Sequence, residues 1–188
     1  MGKLVVISGP SGVGKGTIVK LLQEKYKEKN EKLYLSISAT TRAPREGEID
    51  KVSYYFITEE EFKERINNND FLEYNQYGTG KYYGTPKSTV LKYLEEGYDI
   101  ILEIDINGYR QIKKNFKDTI GIFITLEDIN DIEKRLRSRA TETEEQIRNR
   151  METAKSEIAN IGEFDYVVYN HEGKIEEAVE EVYNIMRK

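Results

Sequence analysis

Nine consecutive residues near the N-terminus, Gly9-Pro10-Ser11-Gly12-Val13-Gly14-Lys15-Gly16-Thr17, restrict this chain more than any other stretch. They follow Leu4 to Ser8, a short apolar run suited to a strand buried on both faces. They precede Ile18, Val19, Leu21, Leu22 and Tyr26, which recur at helical spacing. A glycine-rich turn between strand and helix lets several backbone N–H groups converge, because glycine reaches conformations closed to other residues. The helix adds the positive end of its dipole, and Lys15 adds a full charge. Such a cradle fits a phosphate chain, and all nine residues are candidate contacts. A Ser or Thr directly after the lysine commonly ligates Mg²⁺, but here that residue is Gly16, with Thr17 next. Direct metal ligands are therefore left unassigned, and the ion is expected to rest on phosphates and water.

The rest of the chain alternates strand and helix, as a parallel sheet covered by helices requires. Leu33, Leu35 and Ile37 alternate with Tyr34, Ser36 and Ser38, which predicts a half-polar strand. Thr58 and Glu61 form a capping box for a helix carrying Phe62 and Ile66. Thr85-Pro86 reads as an N-cap with proline at the first helical position, opening a helix with Val90, Leu91 and Leu94 that stops at Gly97. Ile100 to Asp105, Gly121 to Leu126 and Tyr166 to Tyr169 read as further strands. Ile175, Ala178, Val179, Val182 and Ile185 form the apolar stripe of a closing helix. Two segments stand apart from this core: residues 38–83, polar and rich in tyrosine, and residues 128–160, helical and rich in arginine.

Charge and cysteine usage narrow the function. A formal net charge of -5 opposes a dedicated nucleic-acid binder, although a few basic side chains can still dominate one cleft. With no cysteine there is no thiol chemistry and no disulfide, which fits a reducing cytoplasm. No apolar stretch approaches the ~20 residues of a membrane span, and no signal peptide is expected.

Ser36-Ile37-Ser38-Ala39-Thr40-Thr41-Arg42-Ala43-Pro44-Arg45 places two arginines three positions apart after a strand. Their guanidinium forks match the oxygens of one phosphate, and the hydroxyls of Tyr54 and Tyr83 could complete the grip. Glu103 and Asp105, two apart on an expected strand, would turn both carboxylates to one face, toward a cleft, a cation or a partner. His171, the sole histidine, is given no role.

The stretches SGPSGVGKGT, SISATTRAPREGE, FLEYNQYGTGKYYGTP, ILEIDINGYRQIK and RLRSRATETEEQIRNRM together closely resemble the guanylate kinase family in order and spacing. The resemblance implies an α/β fold: a parallel sheet of the P-loop NTPase type flanked by helices, with a GMP-binding insertion and a helical lid. In this chain the core would span residues 1–36, 86–126 and 160–188, the GMP-binding region 37–85 and the lid 127–159. The implied reaction moves the γ-phosphate of ATP, with Mg²⁺, onto GMP or dGMP in a cytoplasmic purine pathway, without nucleic acid or membrane.

Position by position, Ser38 and Glu73 match guanine contacts. Arg42, Arg45, Tyr54 and Tyr83 match contacts to the GMP phosphate, Glu48 an acidic position of that region, and Thr85 a hydroxyl position. The resemblance also puts Glu103 and Asp105 near GMP and the metal. Arg135, Arg139 and Arg150 match lid arginines that reach the transferring group, and Asn170 the adenine-side asparagine. Departures are Ala39 for a second serine, Ala140 for a glycine, Thr125-Leu126-Glu127 without a proline pair, and His171-Glu172 where Asp is usual. Lys15, Arg42, Arg135, Arg139 and Arg150 are the expected catalytic set. Two rivals are weighed: a kinase for AMP, dTMP or a sugar phosphate, which Glu73 with Ser38 opposes, and a catalytically silent binding module, which Lys15 opposes.

Overall fold

The apolar run Leu4–Ser8 (β1) is buried along its whole length, as a central strand covered on both faces must be. The glycine turn leads into α1 (Lys15–Glu28), which buries Ile18, Val19, Leu22 and Tyr26. After β2 (Leu33–Leu35) the chain leaves for a second, smaller sheet. That sheet comprises β3 (Ala39–Thr40), β4 (Tyr55–Phe56), β5 (Phe71–Gln76) and β6 (Tyr82–Pro86), with α2 (Glu59–Asn67) between β4 and β5. The chain returns through α3 (Lys87–Glu95), β7 (Asp99–Glu103), α4 (Ile106–Asn115) and β8 (Ile120–Thr125). Helices α5 (Ile129–Ser138) and α6 (Glu144–Ile158) precede β9 (Tyr166–Tyr169) and the closing helix α7 (Ile175–Arg187). This computed structural model describes residues 2–78, 80–138 and 143–188.

The main sheet runs β2-β7-β1-β8-β9, every neighbouring pair parallel. Alternate residues of β1 feed opposite layers: Val5 and Ile7 pack with residues of α1 and α7, while Leu4 and Val6 pack with residues of α3 and α4. The α/β class expected from the alternating pattern is the one observed, and every described turn from the carboxyl end of a main-sheet strand leads toward one edge, where ligands of such sheets collect.

The small sheet runs β4-β3-β6-β5, with β3 and β4 parallel and the other pairs antiparallel. Its own core is Ala39, Phe62 and Phe71, so α2 is held by the phenylalanine its capping box positions. Helix α4 joins the two sheets. Tyr109 and Ile112 bury against the main core together with Leu72 of β5. Gln111 exchanges two hydrogen bonds with the backbone of Tyr74, its Oε1 accepting from the N–H at 3.2 Å and its Nε2 donating to the carbonyl at 2.9 Å.

Three local expectations are corrected. Helix α3 starts at Lys87 with Pro86 as N-cap, and the Thr85 hydroxyl is used elsewhere. Asp105 is not in a strand: β7 ends at Glu103, and Asp105 caps α4 by accepting from the Gly108 N–H at 2.9 Å. The half-polar strand stops at Leu35, short of Ile37, because Ser36 makes the last backbone bond toward β7 before the chain departs. The helical stretch expected over 128–160 is observed as α5 and α6.

Candidate active site

The glycine turn closes on the body of the protein at two points. Gly9, at φ +138°, lies so near the Ile124 carbonyl that a Cβ would stand 2.0 Å from it. Gly14, at φ +95°, would place one 2.5 Å from the side-chain amide of Asn170. Any side chain at either position would push the turn off the sheet. Asn170, buried at the end of β9, donates Nδ2 to the Val13 carbonyl at 2.7 Å and so braces the turn from below. Lys15 folds back over the loop and donates to the carbonyls of Gly9 at 2.5 Å and Pro10 at 2.9 Å. From α6, Arg150 donates to the Ser11 hydroxyl, and from α5, Arg135 donates to the Asn170 carbonyl at 3.2 Å.

A cleft of about 460 Å³ opens beside this loop, between the two sheets. Ser8, Gly9 and Lys15 form one wall, and Glu73 and Tyr83 of the small sheet form the other, with Ser38 and Tyr54 just ahead of β3 and β4. Glu73 is buried, and stands opposite Thr85 across β5 and β6. The Thr85 hydroxyl donates to its Oε1 at 2.6 Å. Burial, reinforced by the nearby charge of Asp105, pushes the Glu73 carboxyl up to about 7 despite that bond. Thus an acceptor-only group, when ionised, faces the cleft from the floor of the small sheet.

At the far end Arg42 is held on three sides. Its guanidinium forks onto Glu48 at 2.8 and 2.9 Å, Nε donates to the Tyr83 hydroxyl at 3.0 Å, and a further N–H reaches the Ala43 carbonyl at 2.7 Å. The Tyr54 ring lies under the guanidinium, 5.4 Å from centroid to Cζ. Glu48 also accepts from the Arg45 backbone N–H at 2.7 Å, and Arg42 with that N–H holds its carboxyl down to about 2. The Arg45 side chain stands exposed next to this pair.

Carboxylates crowd the middle of the cleft. Asp105 accepts from Gly108 and from the Tyr77 hydroxyl, the latter at 2.9 Å. Glu103 lies within reach of the Lys15 charge, and burial by the surrounding walls raises its carboxyl above the ordinary range. Glu157, projecting from α6, lines the same space and is likewise raised by burial, with Lys15 opposing and Asp105 reinforcing the shift. A smaller recess of about 270 Å³ lies on the other side of Asn170, lined by Arg135, Lys134 and His171 among others.

A family model described as guanylate kinase matches residues 1–188. The chain belongs to the guanylate kinase family. A guanylate kinase of Prochlorococcus marinus subsp. pastoris is 47% identical over 185 residues, covering 98% of this chain and 97% of that protein. One of Clostridium tetani is also 47% identical, over 98% of this chain and 85% of its own. The crystal structure of guanylate kinase from Anaplasma phagocytophilum superposes with a TM-score of 0.78 at 28% identity, covering 99% of this chain and 85% of that one.

Measured against the residues expected from the guanylate kinase resemblance, the fold brings Lys15, Ser38, Tyr54, Glu73, Tyr83, Glu103 and Asp105 to one cleft. Arg42 and Glu48 join it through Tyr83, and Thr85 through Glu73. Arg150 meets the glycine loop from α6, Arg135 reaches the Asn170 carbonyl from α5, and Arg139 lies outside the described residues. Asn170 spends its side chain on the loop backbone. Sequence reasoning missed Asn75, Tyr77 and Glu157. The first two lie inside the stretch FLEYNQYGTGKYYGTP, Asn75 two positions after Glu73 on β5 and so on its face, Tyr77 just past the strand; nothing local distinguishes Glu157 from the other acids of α6.

Proposed function

We propose that this guanylate kinase uses the cleft to hold GMP against the small sheet while the glycine loop holds the phosphates of ATP, and that the γ-phosphate passes between them. The observation that carries this reading is a single cavity with Glu73 buried at one wall and Lys15 at the other. Guanine presents two adjacent donors, N1–H and the 2-amino group, which an ionised carboxylate accepts together; the Ser38 hydroxyl is suited to donate to O6. Adenine has an acceptor at N1 and no 2-amino group, so it would leave the carboxylate unpartnered.

In this reading Arg42, Arg45, Tyr54 and Tyr83 receive the GMP phosphate, and Arg42 exchanges part of its fork from Glu48 to the ligand. Lys15 and the N–H groups of Gly9 to Thr17 orient the ATP phosphates. Arg135, Arg139 and Arg150 bring positive charge to the group in transfer, the largest contribution a protein makes to this reaction. Residues 37–85 act as the GMP-binding region and 127–159 as a lid over the core, located in the cytoplasm. Asn170 and the recess beyond it serve the adenine side.

The donors present suit a magnesium ion that arrives with the phosphates. Among the described residues no group of three or more His, Asp or Glu side chains converges as a metal cage, and Gly16 offers no hydroxyl. Asp105 is already engaged by Gly108 and Tyr77, so Glu103 and Glu157, which line the same space near Lys15, are the cleft carboxylates that would hold the ion, directly or through water. When bound, the ion offsets charge on the phosphate oxygens.

A coupled assay of ADP release with GMP, dGMP, AMP, CMP, UMP and dTMP tests the reading. Turnover confined to GMP and dGMP is expected; efficient use of AMP or a pyrimidine nucleotide overturns it.

A further inference from the structure

The carboxylate assigned to guanine has a neighbour that no reading of the cleft assigns. Gly108 lies in the first turn of α4, buried, with its backbone outside the left-handed region. Its conformation is open to any residue, and alanine would be the better helix former. Local structure therefore gives no reason for glycine. The surroundings give one. A Cβ at Gly108 would stand 2.8 Å from Glu73 Oε2 and 3.2 Å from its carboxyl carbon. The other close atom is Ile104 Cδ1 at 3.1 Å, the movable end of a flexible side chain.

Neither partner can withdraw cheaply. Oε1 of Glu73 is tied to Thr85 across the sheet at 2.6 Å. Helix α4 is pinned to β5 by the two bonds between Gln111 and Tyr74, the residue after Glu73, and its N-cap Asp105 accepts from the Asn75 amide of β5 at 3.4 Å. We propose that Gly108 is a specificity-determining positioning residue, its missing side chain forming the back wall that lets the Glu73 carboxylate sit at the depth and angle that reads guanine. The inference rests on the assignment of Glu73 to the guanine edge. An added methyl would press Oε2 toward the cleft, turning the carboxylate out of the plane in which it accepts two parallel donors.

The test is a double-mutant cycle with Gly108→Ala and Glu73→Ala, assayed with GMP, IMP, which lacks the 2-amino group, and AMP. Gly108→Ala should raise KM for GMP and narrow the GMP-over-AMP and GMP-over-IMP ratios of kcat/KM by about tenfold to a hundredfold, the usual cost of misplacing a contact by roughly 1 Å. KM for ATP should stay within about twofold of the parent, since a general loosening of the fold would move both substrates. With Glu73→Ala present, adding Gly108→Ala should change nothing further, because no carboxylate remains to collide with.

Unchanged ratios in Gly108→Ala, or an equal and additive loss in both backgrounds, overturn the inference while leaving Glu73 as the reader of guanine. If Glu73→Ala itself keeps the GMP-over-AMP ratio, the underlying assignment falls and the inference falls with it. Should Gly108→Ala alone fail to fold, the Glu73→Ala pair still decides. Equal kinetic constants, with a melting temperature that stays level or rises on adding Gly108→Ala as helix propensity alone would give, support the collision, and a further loss refutes it.

Discussion

Arg42 and Glu48 face each other as a two-point ion pair at the far end of the cleft, 2.8 and 2.9 Å apart, with the Arg45 backbone N–H closing on the same carboxylate. Of the five N–H donors of the guanidinium, two go to Glu48, one to Tyr83 and one to Ala43. A phosphate arriving here meets an arginine already oriented, but with most of its donors committed.

Glu48→Gln should therefore disturb orientation rather than chemistry. An amide offers one acceptor oxygen where the carboxylate offers two, so the fork cannot be reproduced. KM for GMP should rise by roughly an order of magnitude with kcat nearly unchanged. A fall in kcat at constant KM would move Glu48 from ground-state positioning into the transfer step.

The high Glu73 carboxyl makes acceptor binding pH-dependent. In the free enzyme it titrates at about 7, and guanine holds it ionised, so binding at lower pH must expel a proton. KM for GMP should rise about tenfold per pH unit below 7 and flatten above it, and calorimetry at pH 6 should find about one proton released per GMP bound. The free protein should show the opposite trend. A carboxyl raised above its ordinary 4.5 favours the folded state when protonated, and this contribution is lost as pH rises through 7. Proton release that persists in Glu73→Gln would assign the titration to another group.

Lys15→Ala should lower kcat/KM by about a thousandfold or more while retaining the fold. The lysine spans the loop by bonds to the carbonyls of Gly9 and Pro10, and β1 and α1 are packed by residues other than Lys15. Far-ultraviolet circular dichroism together with ADP release would check both halves. Near-parental turnover in a folded variant would remove the loop from the reaction.

Asn170→Ala should cost stability as well as ATP affinity. It strips the buried Val13 carbonyl of its donor, a loss of about 1–3 kcal/mol. The urea midpoint should fall accordingly, and an unshifted midpoint would mean that the loop is held by other contacts.

Most of the main sheet was legible because its strands are buried on both faces and read as apolar runs, and because the glycine turn fixes what must precede and follow it. Helix α4 escaped notice. Its first turn contains Gly108, which reads as a breaker, and its N-cap Asp105 sits two positions after Glu103, which reads as strand alternation. Thr85 misled in the other direction: Thr-Pro is a sound capping signal, but the hydroxyl is claimed by Glu73, a partner set by sheet register rather than by neighbouring sequence. The sequence shows the small sheet only as a polar, tyrosine-rich insertion, since β3 and β4 are two residues each and β4 and β6 are partly exposed. The site residues came from the family resemblance. Arginine spacing and paired acids alone could not separate a cleft from a solvated face.

The strand order also bears on how the chain assembles during synthesis. Val5, just ahead of the glycine turn, lies between Ile101 and Ile120, so the phosphate cradle has no sheet on either side until β7 and β8 have left the ribosome. The small sheet is drawn wholly from residues 39–86, with its own phenylalanine core, and its strands emerge before β7 and β8. Long-range parallel pairing is slow to form, whereas antiparallel pairing of nearby strands is not. A nascent chain is thus expected to organise its acceptor side early and to acquire the means of binding ATP only late in translation, which keeps incomplete copies from sequestering the donor nucleotide.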